Sequence, residues 1–223
     1  MNRTRFGWEK EGLLWQHKPG IVRATHFTPQ IVIEHIRWRA DDGVEGSGGA
    51  TFLKAEDVNI NVGPGQDVGL DANVRLRFQM DEQNVDDMDA DILSLNFNIS
   101  GGGFNILSTT STGLILSAST HFANADATTD HGFTNPAGTF IAGAMSETNS
   151  SFASVDPAQN QYWIYEFCIQ CVDADLLNND TFGFEFRGFP NTNFSTGDVG
   201  TIIKAAAPGG PPKGTLALLG VGR

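Results

Sequence analysis

Apolar and polar residues alternate with period two along much of the chain. In the run NVRLRFQM, Val74, Leu76, Phe78 and Met80 share one face, with Asn73, Arg75, Arg77 and Gln79 on the other. ILSLNFNI sets Leu93, Leu95, Phe97 and Ile99 against Ser94, Asn96 and Asn98, and TFGFEFRG sets Phe182, Phe184 and Phe186 against Gly183, Glu185 and Arg187. Side chains alternate across a strand, so each run predicts a strand with one buried face, as in antiparallel sheets packed as a sandwich. Further strands are expected over 20–27, 31–39, 50–54, 58–62, 103–108, 113–119, 138–144, 160–172 and 199–205. No window of a dozen residues carries a helical stripe, and KAEDV and DADLL allow one turn each.

Turn-rich stretches punctuate these runs: DDGVEGSGG, GPGQ, SGGG, NPAG, NND and FPNT. Gly, Pro, Asn and Asp supply the backbone geometries that reverse a chain. Many short strands at close spacing predict an all-β, antiparallel β-sandwich of jelly-roll or immunoglobulin-like kind over residues 30–205. No internal repeat is visible. Residues 1–29 read as an extended N-terminal arm carrying Trp8 and Trp15, which packs either on its own domain or on a neighbour. Residues 206–223 read as a tail with a Pro/Gly hinge before the apolar TLALLGV, a strand that pairs with its own sheet edge or with another subunit's.

Composition adds detail to this picture. A chain of 223 residues is long enough to bury a core without staples, and its 16 Phe against 2 Tyr predict a core built on phenylalanine. Charge is unevenly spread. Residues 1–39 hold 7 basic and 3 acidic residues (+4), 40–203 hold 4 and 23 (−19), and 204–223 hold 3 and none (+3), which sums to −12. An acidic body repels a phosphate backbone, so nucleic acid is not an expected partner. The basic ends are either solvated or docked on acidic surfaces of another copy or another protein. The first twenty residues have no signal-peptide core, and GTLALLGVGR is too short to span a bilayer, so a soluble protein made in a cytoplasm is expected, with no membrane partner. The Asn-x-Ser/Thr matches at Asn98, Asn149, Asn179 and Asn193 are then chance.

The two cysteines, Cys168 and Cys171, have the Cys-x-x-Cys spacing of metal and redox sites. Residues three apart in a strand point to opposite faces. Cys171 is expected in the core beside Phe167 and Ile169, and Cys168 on the outer face, which argues against a shared metal and against a disulfide. The five histidines (His17, His26, His35, His121, His131) show no metal spacing, and IQCVDAD offers no helix N-terminus for a redox thiol. Both cysteines read as structural.

Other chemistry is thinly signalled. DEQNVDDMDAD gathers Asp81, Glu82, Asp86, Asp87, Asp89 and Asp91, but lacks the Gly and the final Glu of a calcium loop, and a solvated acidic loop is expected. DADLLNND reads as a turn joining two strands, and SGGGF as a hairpin turn rather than a phosphate loop. Ser195 lies in NFSTG, which is not a nucleophile elbow. His121 and His131 flank FANADATTD, a pairing that acidic surface loops often produce. Glu166 and Glu185 would be a glycosidase-like pair if their strands faced each other. No metal, no cofactor and no enzymatic activity are expected.

Several segments together resemble a β-sandwich module of tailed-bacteriophage virion structural proteins. They are IRWRADDGVEGSGGATFLKAEDVNI, NVRLRF, ILSLNFNISGGGFNIL and EFCIQCVDADLLNNDTFGFEFR, spanning residues 31 to about 188. In that module an Arg-Trp-Arg strand leads into an Asp-Asp-Gly turn, an Arg-Leu-Arg-Phe strand pairs in the sheet, and a Glu-aromatic-x-Ile-Gln strand turns back into Phe-Arg. The resemblance implies a non-enzymatic virion part, assembled in the host cytoplasm. A capsid decoration or cement subunit on the major capsid protein comes first, and a tail or fibre part or a receptor- or carbohydrate-binding module is the alternative. The arm and tail depart from the module and would decide docking. Arg3, Arg5, Trp8 and Trp15 are the candidate contact residues, because Trp and Arg dominate interface energetics, with self-packing the competing role for each. A homo-oligomer is expected.

Overall fold

A computed structural model describes residues 30–82, 92–148, 151–153, 157–189, 193–195 and 202–205. The arm residues Arg3, Arg5, Trp8 and Trp15, the expected strand 20–27, most of the acidic run and the tail lie outside the described residues. The strands are β1 (Gln30–Ala40), β2 (Ile60–Val62), β3 (Asn73–Glu82), β4 (Ile92–Ile99), β5 (Asn105–Ile106), β6 (Leu114–Leu116), β7 (Thr139–Phe140), β8 (Met145–Ser146), β9 (Ser151–Ala153), β10 (Gln161–Cys171), β11 (Thr181–Phe189), β12 (Asn193–Ser195) and β13 (Ile202–Lys204).

They form two sheets packed face to face, an all-β sandwich. The first runs β12-β1-β3-β10-β6, with β7 and β8 also on β10, and the second runs β2-β13-β11-β4-β5, with β9 also on β4. The long antiparallel pairs β1·β3 and β3·β10 make the centre of the first sheet, and β4·β11 that of the second. SGGG is the β4–β5 turn, with Ser100 (φ 49°) and Gly101 (φ 75°) left-handed, and DADLLNND crosses from β10 to β11 through a single 3₁₀ turn at Asp173–Asp175.

The apolar faces found by alternation meet in the middle. Trp38, Phe78, Trp163, Tyr165 and Phe167 from the first sheet lie fully buried against Phe97, Phe182, Phe184 and Phe186 from the second. The rings prefer edge-to-face contact: Phe78 meets Phe186 at 4.7 Å between centroids and Phe167 at 6.0 Å, and Trp38 meets Phe184 at 6.0 Å. Fully burying each such side chain is worth about 1.5–3 kcal/mol, so this phenylalanine layer is the main driving force of the fold.

Three expectations need correction. The segment 50–54 is not a strand but a loop tied to the end of β1 by a single bridge, Arg39 to Phe52. The shorter runs hold strand geometry over fewer residues than predicted, as in Asn105–Ile106 and Thr139–Phe140, because their neighbours turn away into loops. Most consequentially, β3 has two buried faces. Arg75, Arg77 and Gln79 are as buried as Val74, Leu76 and Phe78, because the segments 41–59 and 117–148 fold across the outside of the first sheet.

Candidate functional site: a buried ionic face

The residues that strand alternation turns away from the core converge under those two segments. Register sets Arg39 opposite Arg75, Arg37 opposite Arg77, Glu166 opposite Arg77, and Cys168 opposite Arg75. Glu166 sits at the centre with no exposed side-chain surface. Its Oε1 lies 3.3 Å from Arg75 Nη1, and its Oε2 lies 3.3 Å from Arg77 Nε and 3.5 Å from Arg39 Nη1.

The covering loop 41–49 brings the remaining acids. Arg39 Nη1 donates to Glu45 Oε2, and Arg77 Nη2 donates to Glu45 Oε1 at 2.9 Å. Arg75 Nε donates to Asp41 Oδ1 at 2.7 Å. Three guanidiniums (Arg39, Arg75, Arg77) therefore face three carboxylates (Asp41, Glu45, Glu166), and the cluster is neutral as a whole. The second covering segment closes it. Ser119 Oγ donates to Asp41 Oδ1 at 2.7 Å, the Thr129 amide and hydroxyl donate to Glu45 at 3.0 and 2.8 Å, and Arg77 donates to the Thr129 and His131 carbonyls at 2.7 and 2.9 Å.

Aromatic rings cap the guanidiniums. Phe52 lies 3.9 Å from Arg37 and 5.0 Å from Arg39, Phe122 lies 4.9 Å from Arg75, and Phe133 lies 5.7 Å from Arg77. Two glycines allow this closeness. A Cβ on Gly49 would fall 1.9 Å from the Val44 carbonyl oxygen, and one on Gly132 (φ 96°) would fall 1.9 Å from Phe52 Cζ. The Gly132 carbonyl in turn accepts from Arg37.

Burial pushes the Asp41 and Glu45 carboxyls up, but their partners outweigh it. Ser119, Arg75 and Asn73 hold Asp41 below the usual carboxylate range, and Arg77, Thr129 and Arg39 do the same for Glu45. At Glu166 burial prevails and its carboxyl is raised, with Arg77 pulling the other way and Glu45 adding repulsion. Its three charged neighbours at 3.3–3.5 Å are all donors, so the ionised carboxylate is the form that fits. Burial also lowers Arg77 from its ordinary value.

Buried ions lose hydration that their mutual attraction does not reliably return, whereas leaving one without its partner is costly. The cluster therefore works as a latch: it dictates where the covering segments rest. Its chemistry is positional. Glu166 is sealed from solvent and held by fixed cations, unlike a carboxyl poised for proton transfer at an open cleft.

The other sequence-level candidates are not brought together. Glu185 lies on the outer side of the second sheet, between the core residues Phe184 and Phe186, so it and Glu166 occupy opposite outsides of the sandwich. His131 stacks on Phe52 at 5.6 Å, and the His121 amide donates to Ser119 Oγ, so both serve the covering segment. A pair that alternation does not reveal is His35 with Asp57, 2.7 Å apart, which clips the first covering segment to β1. Cys168 and Cys171 are free and lie on opposite faces of β10, as their spacing requires. Cys171 is in the core, its thiol pushed up to about 12 by burial and then by Asp71. Cys168 lies on the outer face but is buried as well, 3.8 Å from Asp41 Oδ2, and burial followed by that carboxylate raises its thiol strongly. Among the described residues no three His, Cys, Asp or Glu side chains converge as metal ligands, and no helix is long and apolar enough to cross a membrane.

Comparison with family models, with curated proteins and with solved structures finds no match to this chain.

Proposed function

We propose that the chain is a non-enzymatic structural protein of a tailed-phage virion, a decoration or cement subunit whose sandwich sits on the capsid lattice. One observation carries this reading. The segments that resemble the virion module supply the ionic face: Arg37-Trp38-Arg39 and Asp41-Asp42-Gly43, then Arg75-Leu76-Arg77-Phe78, then Glu166-Phe167. The shared pattern is thus accounted for as a device that fixes loops on a sheet, as a scaffold requires.

Charge supports docking through the ends rather than the body. Arg37 and Arg39 belong to β1, and Lys204 is tied to Asp173 and to the Leu176 carbonyl, so these cations serve the sandwich itself. The arm 1–29 still holds Arg3, Arg5, Lys10, Lys18 and Arg23 against Glu9 and Glu11, or +3, beside an acidic body. In this reading Arg3, Arg5, Trp8 and Trp15 contact the major capsid protein, and extra interface between copies stabilises the shell by mass action.

Copy number in particles purified from infected cells, by quantitative mass spectrometry, is the test. Hundreds per particle are expected, a handful makes the protein a tail, fibre or receptor-binding part, and absence from particles overturns the virion reading. Deleting residues 1–19 should abolish co-sedimentation with capsids, and undiminished binding would remove the arm from the docking surface.

A further inference from the structure

The first covering segment opens with a loop, 41–49, that grips the sheet differently from its neighbours. Its one apolar side chain beyond glycine, Val44, is 60% exposed. The stretches around it have apolar anchors: Leu53, Ile141 and Ala144 pack against the core, and Met145 is buried. The loop is tied down by Asp41 and Glu45 instead. Asp41 accepts from Arg75, Asn73 and Ser119, and Glu45 accepts from Arg39, Arg77 and Thr129. The Gly43 and Val44 carbonyls also accept from Arg75 and Arg39.

Within itself the loop is well fixed. The Ala50 amide donates to the Val44 carbonyl at 3.0 Å, the Gly49 amide to the Gly46 carbonyl at 3.2 Å, and the Thr51 amide to Asp42 Oδ1 at 2.8 Å. A Cβ on Gly46 or Gly48 would meet nothing within 4 Å, so the tip stands in the open. The two ends meet where the Ala40 amide donates to the Thr51 carbonyl at 2.8 Å. Swinging outward about that pair breaks no strand ladder and leaves the phenylalanine layer covered. It bares Arg39, Arg75 and Arg77 over Glu166, three cations to one carboxylate, and takes Asp41 away from the Cys168 thiol 3.8 Å off.

We propose that loop 41–49 is an acid-released flap, which lifts off the ionic face as a unit while the sandwich stays folded. Burial opposes ionisation of Asp41 and Glu45, but their donors hold both closed carboxyls below the usual range. Lifted into water, each returns to a value near about 4. The lifted flap therefore binds protons more readily than the closed one. Its grip is complete above that value and is lost as pH falls below it. Asp41 faces Arg75 from β3 and Cys168 from β10, with Glu147 behind Ser119. Glu45 faces Arg39 from β1 and Arg77 from β3, with Glu166 from β10 behind them. His121 and His131 lie alongside, engaged through the His121 amide and the His131 carbonyl. The arginines stay charged throughout. A proton on Glu166 would leave them more cationic and tighten the flap, so the release belongs to Asp41 and Glu45. Asp42 bonds inside the loop and moves with it.

The test uses the full chain in two single-thiol forms, Cys171→Ala, which keeps Cys168, and Cys168→Ala, which keeps Cys171. Dithiodipyridine, which reacts with thiols in acid, reads their exposure from about pH 6 to about pH 3. Each rate is referred to that of the same form in urea, and near-ultraviolet circular dichroism follows the sandwich. Protection of Cys168 should fall at least about 10-fold over that range, with Cys171 and the dichroism unchanged. The Thr129 amide, which donates to Glu45, should lose hydrogen-exchange protection in step with Cys168, while the Leu76 and Phe167 amides keep theirs. Adding Asp41→Asn/Glu45→Gln to Cys171→Ala should expose Cys168 already at neutral pH, with no further gain in acid. The proposal is overturned if Cys168 stays protected in acid while the sandwich is intact. It is overturned equally if both cysteines and the dichroism give way together. Should the Asp41→Asn/Glu45→Gln form fail to fold, Thr129 exchange in the unaltered chain decides alone.

Discussion

The two faces of the β1–β3–β10 sheet are both buried at their centre, but by opposite means. Inside, Phe78 and Phe167 pack on rings of the second sheet, a contact that needs volume and tolerates many apolar neighbours. Outside, Arg39, Arg75, Arg77 and Glu166 are covered by loops, the first of them fixed by individual ion pairs of the arginines to Asp41 and Glu45. The inner face supplies free energy in proportion to area. The outer face supplies direction, because a guanidinium accepts its carboxylate in few geometries. Sealing a sheet with irregular loops calls for the second kind of contact, since Gly-rich segments have little apolar surface to offer.

The largest effects should come from the centre of each face, and they should differ in kind. Phe78→Ala leaves a cavity and should cost about 3–5 kcal/mol in urea unfolding. Glu166→Ala should cost about as much, roughly 3–5 kcal/mol, through uncompensated buried arginines. Adding Arg77→Met to Glu166→Ala should recover part of that loss, a coupling of about 0.5–3 kcal/mol, whereas adding Arg77→Met to Phe78→Ala should recover nothing. If both double variants behave alike, the faces do not differ as described.

A smaller effect separates the faces by pH. Asp41→Asn should cost about 1–3 kcal/mol near neutral pH. The folded Asp41 carboxyl lies below its unfolded value of about 3.9, so its contribution is complete above that value and is lost as pH falls through the folded one. The gap between wild type and Asp41→Asn should therefore close in acid, while the cost of Phe78→Ala stays level. The cysteine pair gives effects of the same size or smaller. Cys171→Ser places a hydroxyl among Phe167 and Ile169 and should cost about 1–3 kcal/mol. Cys168→Ser should cost less, because its hydroxyl can donate to Asp41 Oδ2, the acceptor now facing the thiol at 3.8 Å. Thermal unfolding of the two variants side by side measures the difference.

The inner face was legible in the sequence because period two needs no knowledge of the rest of the chain. Phe182, Phe184 and Phe186, or Leu76 and Phe78, declare it locally. The split of Cys168 from Cys171 followed from the same rule. The outer face was illegible for the complementary reason. Arg75 and Glu166 stand 91 residues apart, and the acids that join them lie in DDGVEGSGG, which reads simply as a turn. One signal was present. Arg-x-Arg occurs in two strands, and a lone Glu stands mid-strand in a third, in place of the Thr, Ser and Asn that a solvated sheet face would carry as readily. Charges concentrated at strand centres, flanked by Gly-rich loops, mark a sheet face with a lid.

The long separation between β3 and β10 also bears on how the chain survives its own synthesis. Glu166 cannot reach its arginines until β10 has left the ribosome, and the 79 residues from Glu82 to Gln161 take roughly 4–16 s to translate. During that interval β3 has an unpaired edge with apolar residues on one side. Arg37, Arg39, Arg75 and Arg77 then stand on the other side with Asp41 and Glu45 made but Glu166 still missing, a block with net positive charge that is a natural gatekeeper against strand-to-strand aggregation. The same side chains thus repel neighbouring copies while the protein is half made and bind its lid once it is complete.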